Sequence, residues 1–159
     1  NIISDIIKFN KDDFNALIEA RYHLELNAVK LAAERRTEED LQSLREAMEA
    51  YEKKVAIGGD AVEEDMVFHI KIAKATKNSV IESMILILVP DLIKNIVENK
   101  ICGDNRAKTA IEEHRMIYAA IESGHMAKAE EAMAGHLDEI WQISKAGFAA
   151  QNIIEKAEI

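Results

Sequence analysis

The 159-residue sequence has one proline, six glycines and one cysteine, and aromatic residues make up only 5% of it. With so little proline and glycine there are few places for turns, which argues for long helices. A lone Cys102 excludes an internal disulfide framework and fits a reducing compartment. No apolar run approaches the roughly 18 residues that a membrane span needs. The longest, Met84 to Pro90, is seven residues. The first residues include Asp5 and Lys8 and lack a signal-peptide pattern, so a cytoplasmic protein is expected. Positive charge is also scarce. Twenty Lys and Arg face 29 Asp and Glu, a net charge of -9, which excludes a general nucleic-acid-binding surface. The chain opens on Asn1-Ile2-Ile3 without an initiator Met, and we expect a piece of something longer.

Hydrophobic residues are plentiful at 48%, mostly Ala, Ile, Leu, Val and Met. That is enough for one domain with a real core, and a disordered chain would have less. The pattern predicts an all-α, antiparallel bundle of about six or seven helices. The first runs from about Asp12 to Arg36, capped by Asp12 or Asp13. Thr37, with acids at 38 to 40, starts a second helix that stops at Gly58-Gly59. Asp60 opens a third, and Asn78-Ser79 break or cap the next segment. The fourth, about Val80 to Asn99, contains Pro90, which should kink it near Leu86. The fifth spans about Arg106 to Glu122 and ends at Ser123-Gly124. The sixth runs from near His125 to about Lys145, with a short extra helix after Gly147.

Four residues carry chemistry. Asp65 and His69 are four apart, so they share one face of the third helix with Ile72 and Ala73. His114 lies between Ile111 and Ile117 on the fifth helix, and His136 among Ala132, Met133 and Ile140 on the sixth. All four therefore fall on core-facing stripes. A buried carboxylate is costly unless it is paired or holds a metal. Three imidazoles and one carboxylate from three helices form a plausible divalent-ion site, with zinc favoured and nickel or manganese open. A single histidine on such a stripe is ordinarily a hydrogen-bonded core residue, so a structural bundle without ligand is one alternative. His23 and His125 read as surface residues. Arg21 and Glu25 form a second feature, four apart on the first helix, with Ala28 and Ala32 continuing that side. They read either as a surface ion pair or as an arginine that faces the interior and grips an anion. Trp141 and the apolar surplus of the fourth helix are candidates for a dimer surface. A metalloenzyme of hydrolase type is a further alternative. Against it, no inward acid stands at the spacing of a general base, and no His-Glu-x-x-His motif is present. An enzyme is not expected.

Four stretches, taken together, resemble a known family. The first is Arg21-Tyr-His-Leu-Glu25 through Arg35, and the second is Asp65-Met-Val-Phe-His69 through Asn78. The third is Glu113-His114-Arg-Met-Ile-Tyr-Ala-Ala-Ile121, and the last is Met133-Ala-Gly-His136-Leu137. In this order they resemble the FCD domain, the C-terminal effector domain of FadR-like regulators of the GntR family, over roughly residues 12 to 143. The resemblance implies a helical bundle around a central metal and ligand cavity, with Asp65, His69, His114 and His136 as metal ligands. It implies a small organic acid as effector: a sugar acid such as gluconate or a hexuronate, a hydroxy acid such as lactate, or a dicarboxylate. Arg21 would hold the acid, with Glu25 and Asn78 as further ligand-binding residues. A homodimer is implied, as is operator DNA bound through an N-terminal winged helix-turn-helix that residues 1 to 159 do not contain. Met133, Ala134 and Gly135 precede His136 where many family members carry an arginine.

Overall fold

The computed structural model describes residues 13–158. It contains six helices and, among the described residues, no strand: α1 (Phe14–Arg35), α2 (Glu38–Ala56), α3 (Val62–Ala75), α4 (Ser79–Glu98), α5 (Arg106–Ser123) and α6 (Met126–Ala157). The helix ends follow local chemistry. Thr37 and Asp40 form a reciprocal capping box at the start of α2: the Thr37 hydroxyl accepts from the Asp40 amide at 3.2 Å, and Asp40 accepts from the Thr37 amide at 2.9 Å. At the end of α5, Gly124 adopts φ 72°, and the amides of Gly124 and His125 close back on Ile121 and Ala120. Glycine takes this left-handed conformation without the Cβ penalty. The predicted caps on the first helix differ. Asp12 lies outside the described residues, and Asp13 makes no side-chain cap bond.

The end of the chain departs from the sequence reading. α6 is one helix of 32 residues that continues through Gly147 instead of breaking there. A glycine inside a helix costs about 1 kcal/mol, and here close packing accounts for its presence. A Cβ on Gly147 would run into the Asn15 side chain on α1. One turn earlier, the Ser144 hydroxyl donates to the Asn15 carbonyl at 3.0 Å. Helix α4 likewise runs through Pro90. The carbonyl that Pro90 cannot bond belongs to Leu86, which is 43% exposed, so water can satisfy it.

Helix α1 is the centre of the bundle. It packs most extensively along α6 and also touches α3, α4 and α5. Its buried residues include Ala28, Ala32 and Ala33, small enough to let the neighbouring backbones approach. The largest apolar cluster joins Val29, Leu44, Phe68, Ile117, Ile121 and Met133 from five helices. A second, with Ile18, Leu88, Leu92 and Ile140, ties α1 to α4 and α6. The basic residues at the end of α1 close other helices: Arg35 donates to the Thr76 carbonyl after α3, and Arg36 to the carbonyls of Ile121 and Glu122 at the end of α5. Trp141 is engaged within the monomer, stacked on Tyr22 with ring centroids 4.3 Å apart.

Removing the α2 cap tests how far local chemistry sets this frame. Thr37→Ala is expected to lower unfolding free energy by about 1 kcal/mol in urea titration, with the helical circular dichroism of the folded state unchanged.

Candidate functional site

Helices α3, α5 and α6 bring Asp65, His69, His114 and His136 together, with one potential ligand atom from each lying within 4.8 Å of all the others. His69 and His114 are fully buried and His136 nearly so, whereas Asp65 reaches a cavity. His114 Nε2 is 3.1 Å from Asp65 Oδ1, and His69 Nε2 is 3.5 Å from the same oxygen. Phe68 stacks on the His114 ring at 4.1 Å between centroids, which fixes its plane. His114 Nδ1 is buried without a hydrogen-bond partner, a condition rare in native interiors outside functional sites.

Glutamates orient two of the imidazoles. His69 Nδ1 donates to Glu25 on α1, and His136 Nδ1 donates to Glu113 on α5 at 2.7 Å. With the Nδ1 positions so engaged, the Nε2 atoms of His69 and His136 face each other at 3.2 Å. Two bare lone pairs at that distance repel, so the arrangement needs a proton or a cation between them. Carboxylates behind metal-ligating histidines serve the same purpose in metalloproteins generally, fixing tautomer and ring orientation. The donor set of three imidazoles and a carboxylate fits a divalent transition ion.

The protonation pattern agrees. Burial alone would depress the pKa of His69, but the charges and hydrogen bonds of Glu25 and Asp65 outweigh it and push the value up to about 9. His136 moves the other way, held well below the usual histidine range by burial and by the neighbouring His114 and His69. Burial would raise Asp65, but hydrogen bonds from His114 and His69 keep it well below the usual carboxylate range. Without metal, a proton on His69 therefore occupies the contact with the neutral His136.

Arg21 and Glu25 are interior, 4% and 2% exposed, so the reading of them as a surface ion pair fails. Arg21 Nε donates to Glu25 Oε2 at 2.8 Å while Glu25 Oε1 serves His69. Glu25 thus supports a histidine, and Arg21 lines a cavity of about 70 Å³ that also reaches Asp65 and His136. A larger cavity of about 390 Å³ shares Asp65 and His136 with it and extends past Tyr51 and Lys108. Asn78 does something other than the family motif implies. Its Oδ1 accepts from the amides of Val80 and Ile81 and caps α4, and it lines neither of these cavities. Arg115 pairs with Glu52 on the exposed side of α5.

Two site residues were not singled out from sequence: Glu113, which holds His136, and Arg106, which donates to Glu113 and lines both cavities. Their seven-residue spacing, two turns on one helix face, was the available signal.

The FCD domain family matches residues 16–139. The chain belongs to the FCD domain family. FCD domains are the regulatory, effector-binding domains of GntR-family transcription regulators. The chain is 30% identical to the HTH-type transcriptional regulator LutR of Bacillus subtilis over 155 residues, covering 95% of this chain and 70% of LutR. It is 35% identical to the HTH-type transcriptional regulator YcbG of the same species over 126 residues, covering 79% of this chain and 52% of YcbG. Among solved structures, Streptococcus agalactiae GntR superposes with a TM-score of 0.72 at 26% identity, covering 86% of this chain and 62% of that one. E. coli McbR/YncC shares the fold, with a TM-score of 0.71 at 20% identity, over 88% of this chain and 71% of that one. No helix among the described residues is long and apolar enough to cross a membrane.

Two outcomes test the site. Coordination through His69 Nε2 must displace the proton held there below about pH 9. Zinc binding at pH 7 is therefore expected to release about one proton, read by calorimetry in buffers of different ionisation enthalpy, and affinity should rise with pH towards 9. Asn78→Ala should cost about 1 kcal/mol of stability and leave zinc affinity unchanged in a chelator competition.

Proposed function

We propose that this FCD domain senses a small organic acid in a metal-dependent way, as the regulatory part of a DNA-binding transcription regulator. The observation that carries the reading is the facing pair of His69 and His136 Nε2 atoms, backed by glutamates, at the edge of a cavity that Arg21 also lines. Asp65, His69, His114 and His136 would hold the ion, with zinc the favoured metal and nickel or manganese alternatives. When bound, the ion supplies Lewis-acidic positions for a carboxylate and a neighbouring hydroxyl. The chain's own residues do the rest. Glu25 and Glu113 hold two imidazoles in the ligating tautomer. The guanidinium of Arg21, tied by Nε to Glu25, has no other hydrogen-bond partner among the described residues and can offer its remaining N–H groups to the acid.

The relatives' names support a role in transcription, and the chain spans only about half of YcbG and 62% of the S. agalactiae GntR chain. Operator binding belongs to a winged helix-turn-helix outside this sequence, and effector binding would shift the placement of paired DNA-binding heads. The homodimer this requires is supported by exposed apolar residues of α4, with Val80 (66% exposed) and Met84 (46%) four apart on one flank.

Calorimetry with sugar acids, hydroxy acids and dicarboxylates tests the sensing role. Binding should require loaded metal and should weaken at least tenfold, about 1.4 kcal/mol, in Arg21→Ala. Acid binding that survives metal removal unchanged would sink the mechanism. Sedimentation at tens of micromolar should give a dimer, and a Val80→Glu, Met84→Glu variant should shift it towards monomer; a monomeric wild type would remove the assembly from the reading.

A further inference from the structure

The site contains the same chain of groups twice. His69 donates to Glu25, which is held by Arg21; His136 donates to Glu113, which is held by Arg106. The two chains start on different helices and come back together, because Arg21 and Arg106 both line the 70 Å³ cavity alongside Asp65 and His136. Arg106 is the more accessible of the two, its side chain 25% exposed, and it also lines the larger cavity. Its second neighbour, Glu139 Oε2, is 3.7 Å away and beyond hydrogen-bond reach.

We propose that Arg106 is a second anion anchor, closing with Arg21 on a single carboxylate in the narrow cavity while the rest of the effector extends into the wide one. This rests on the metal-dependent acid sensing proposed above and narrows its ligand class to a monocarboxylate with a polar tail. Local contact gives the reason. The two arginines balance Glu25 and Glu113, and Asp65 together with the part-exposed Glu139 at the cavity wall would balance a divalent ion, so a carboxylate is held by the directed N–H groups of Arg21 and Arg106 and not by a surplus of charge. In the wide cavity Lys100 and Lys108 are matched by Asp60 and Asp104, so a second carboxylate on the tail would gain no net partner there. The volumes agree: the narrow cavity has room for little more than one small group, and the wide one holds a chain of several hydroxylated carbons.

The test uses zinc-loaded protein as wild type, Arg106→Gln, Arg106→Lys and Arg21→Ala. The probes are gluconate, glucarate and lactate, followed by calorimetry, with zinc affinity measured separately by chelator competition without acid. Arg106→Gln should weaken gluconate at least tenfold, about 1.4 kcal/mol, and Arg106→Lys should recover part of it. Zinc affinity should fall well short of the roughly 10–100-fold loss that follows removal of a residue supporting a metal-ligating histidine. Glucarate, which differs by one terminal carboxylate, should bind no tighter than gluconate. Parallel loss of zinc and gluconate in both Arg106 variants would make Arg106 a prop for Glu113 and overturn the proposal. Metal- and Arg21-dependent binding that ignores Arg106→Gln would overturn the anchor alone, and much tighter glucarate would overturn the single-carboxylate class. A wild type that binds no probe with zinc loaded would overturn the acid-sensing reading, and this inference with it.

Discussion

Two imidazole nitrogens held 3.2 Å apart, each with its ring's other nitrogen bonded to a carboxylate, set the terms for this bundle. Neutral rings cannot share that contact, so something positive must sit in it. The interior then has to carry three histidines, an aspartate and two glutamates among apolar helices, at a cost that pairing among them offsets, with His114 Nδ1 left without a partner. The pairing draws on four helices. α1 contributes Glu25, α3 Asp65 and His69, α5 Glu113 and His114, and α6 His136. A shift of any one helix by a turn would strand a charge.

The same requirement explains the helix packing around the site. α1 runs through the centre, and below its charged pair the exposed-looking stripe Arg21, Glu25, Ala28, Ala32 continues as small side chains, which bring α1 close to its neighbours. Gly147 allows the approach of α6 at the other end. The apolar clusters join α1 to each of the other five helices and hold the bundle together around the polar centre.

Much of this was legible in the sequence. Helix ends follow from short-range chemistry: Thr37 with Asp40, Gly58 and Gly124 each act within a few residues. The four candidate ligands stood out because helical periodicity placed them on apolar stripes, where an unpartnered polar group is expensive. Other features depended on partners far along the chain. Periodicity puts Glu113 about 100° round the helix from His114, and nothing local says that α6 will bring His136 to it. The interior burial of Arg21 and Glu25 follows from α1 being surrounded by four helices, which its own amphipathic pattern does not announce. Asn78, placed by the motif just after α3, serves the α4 cap because its short side chain reaches the amides of Val80 and Ile81.

The division has a simple physical basis. By itself the sequence determined the all-helical class, the helix ends around residues 37, 58 and 124, and the inward stripes that carry His69, His114 and His136, because these rest on backbone geometry and the cost of burying polar groups over one or two turns. Only the tertiary structure decided which carboxylate meets which histidine, and that Arg21 and Arg106 meet at one cavity. Those contacts join residues tens of positions apart, and their energies exist only once the helices have crossed at particular heights and angles.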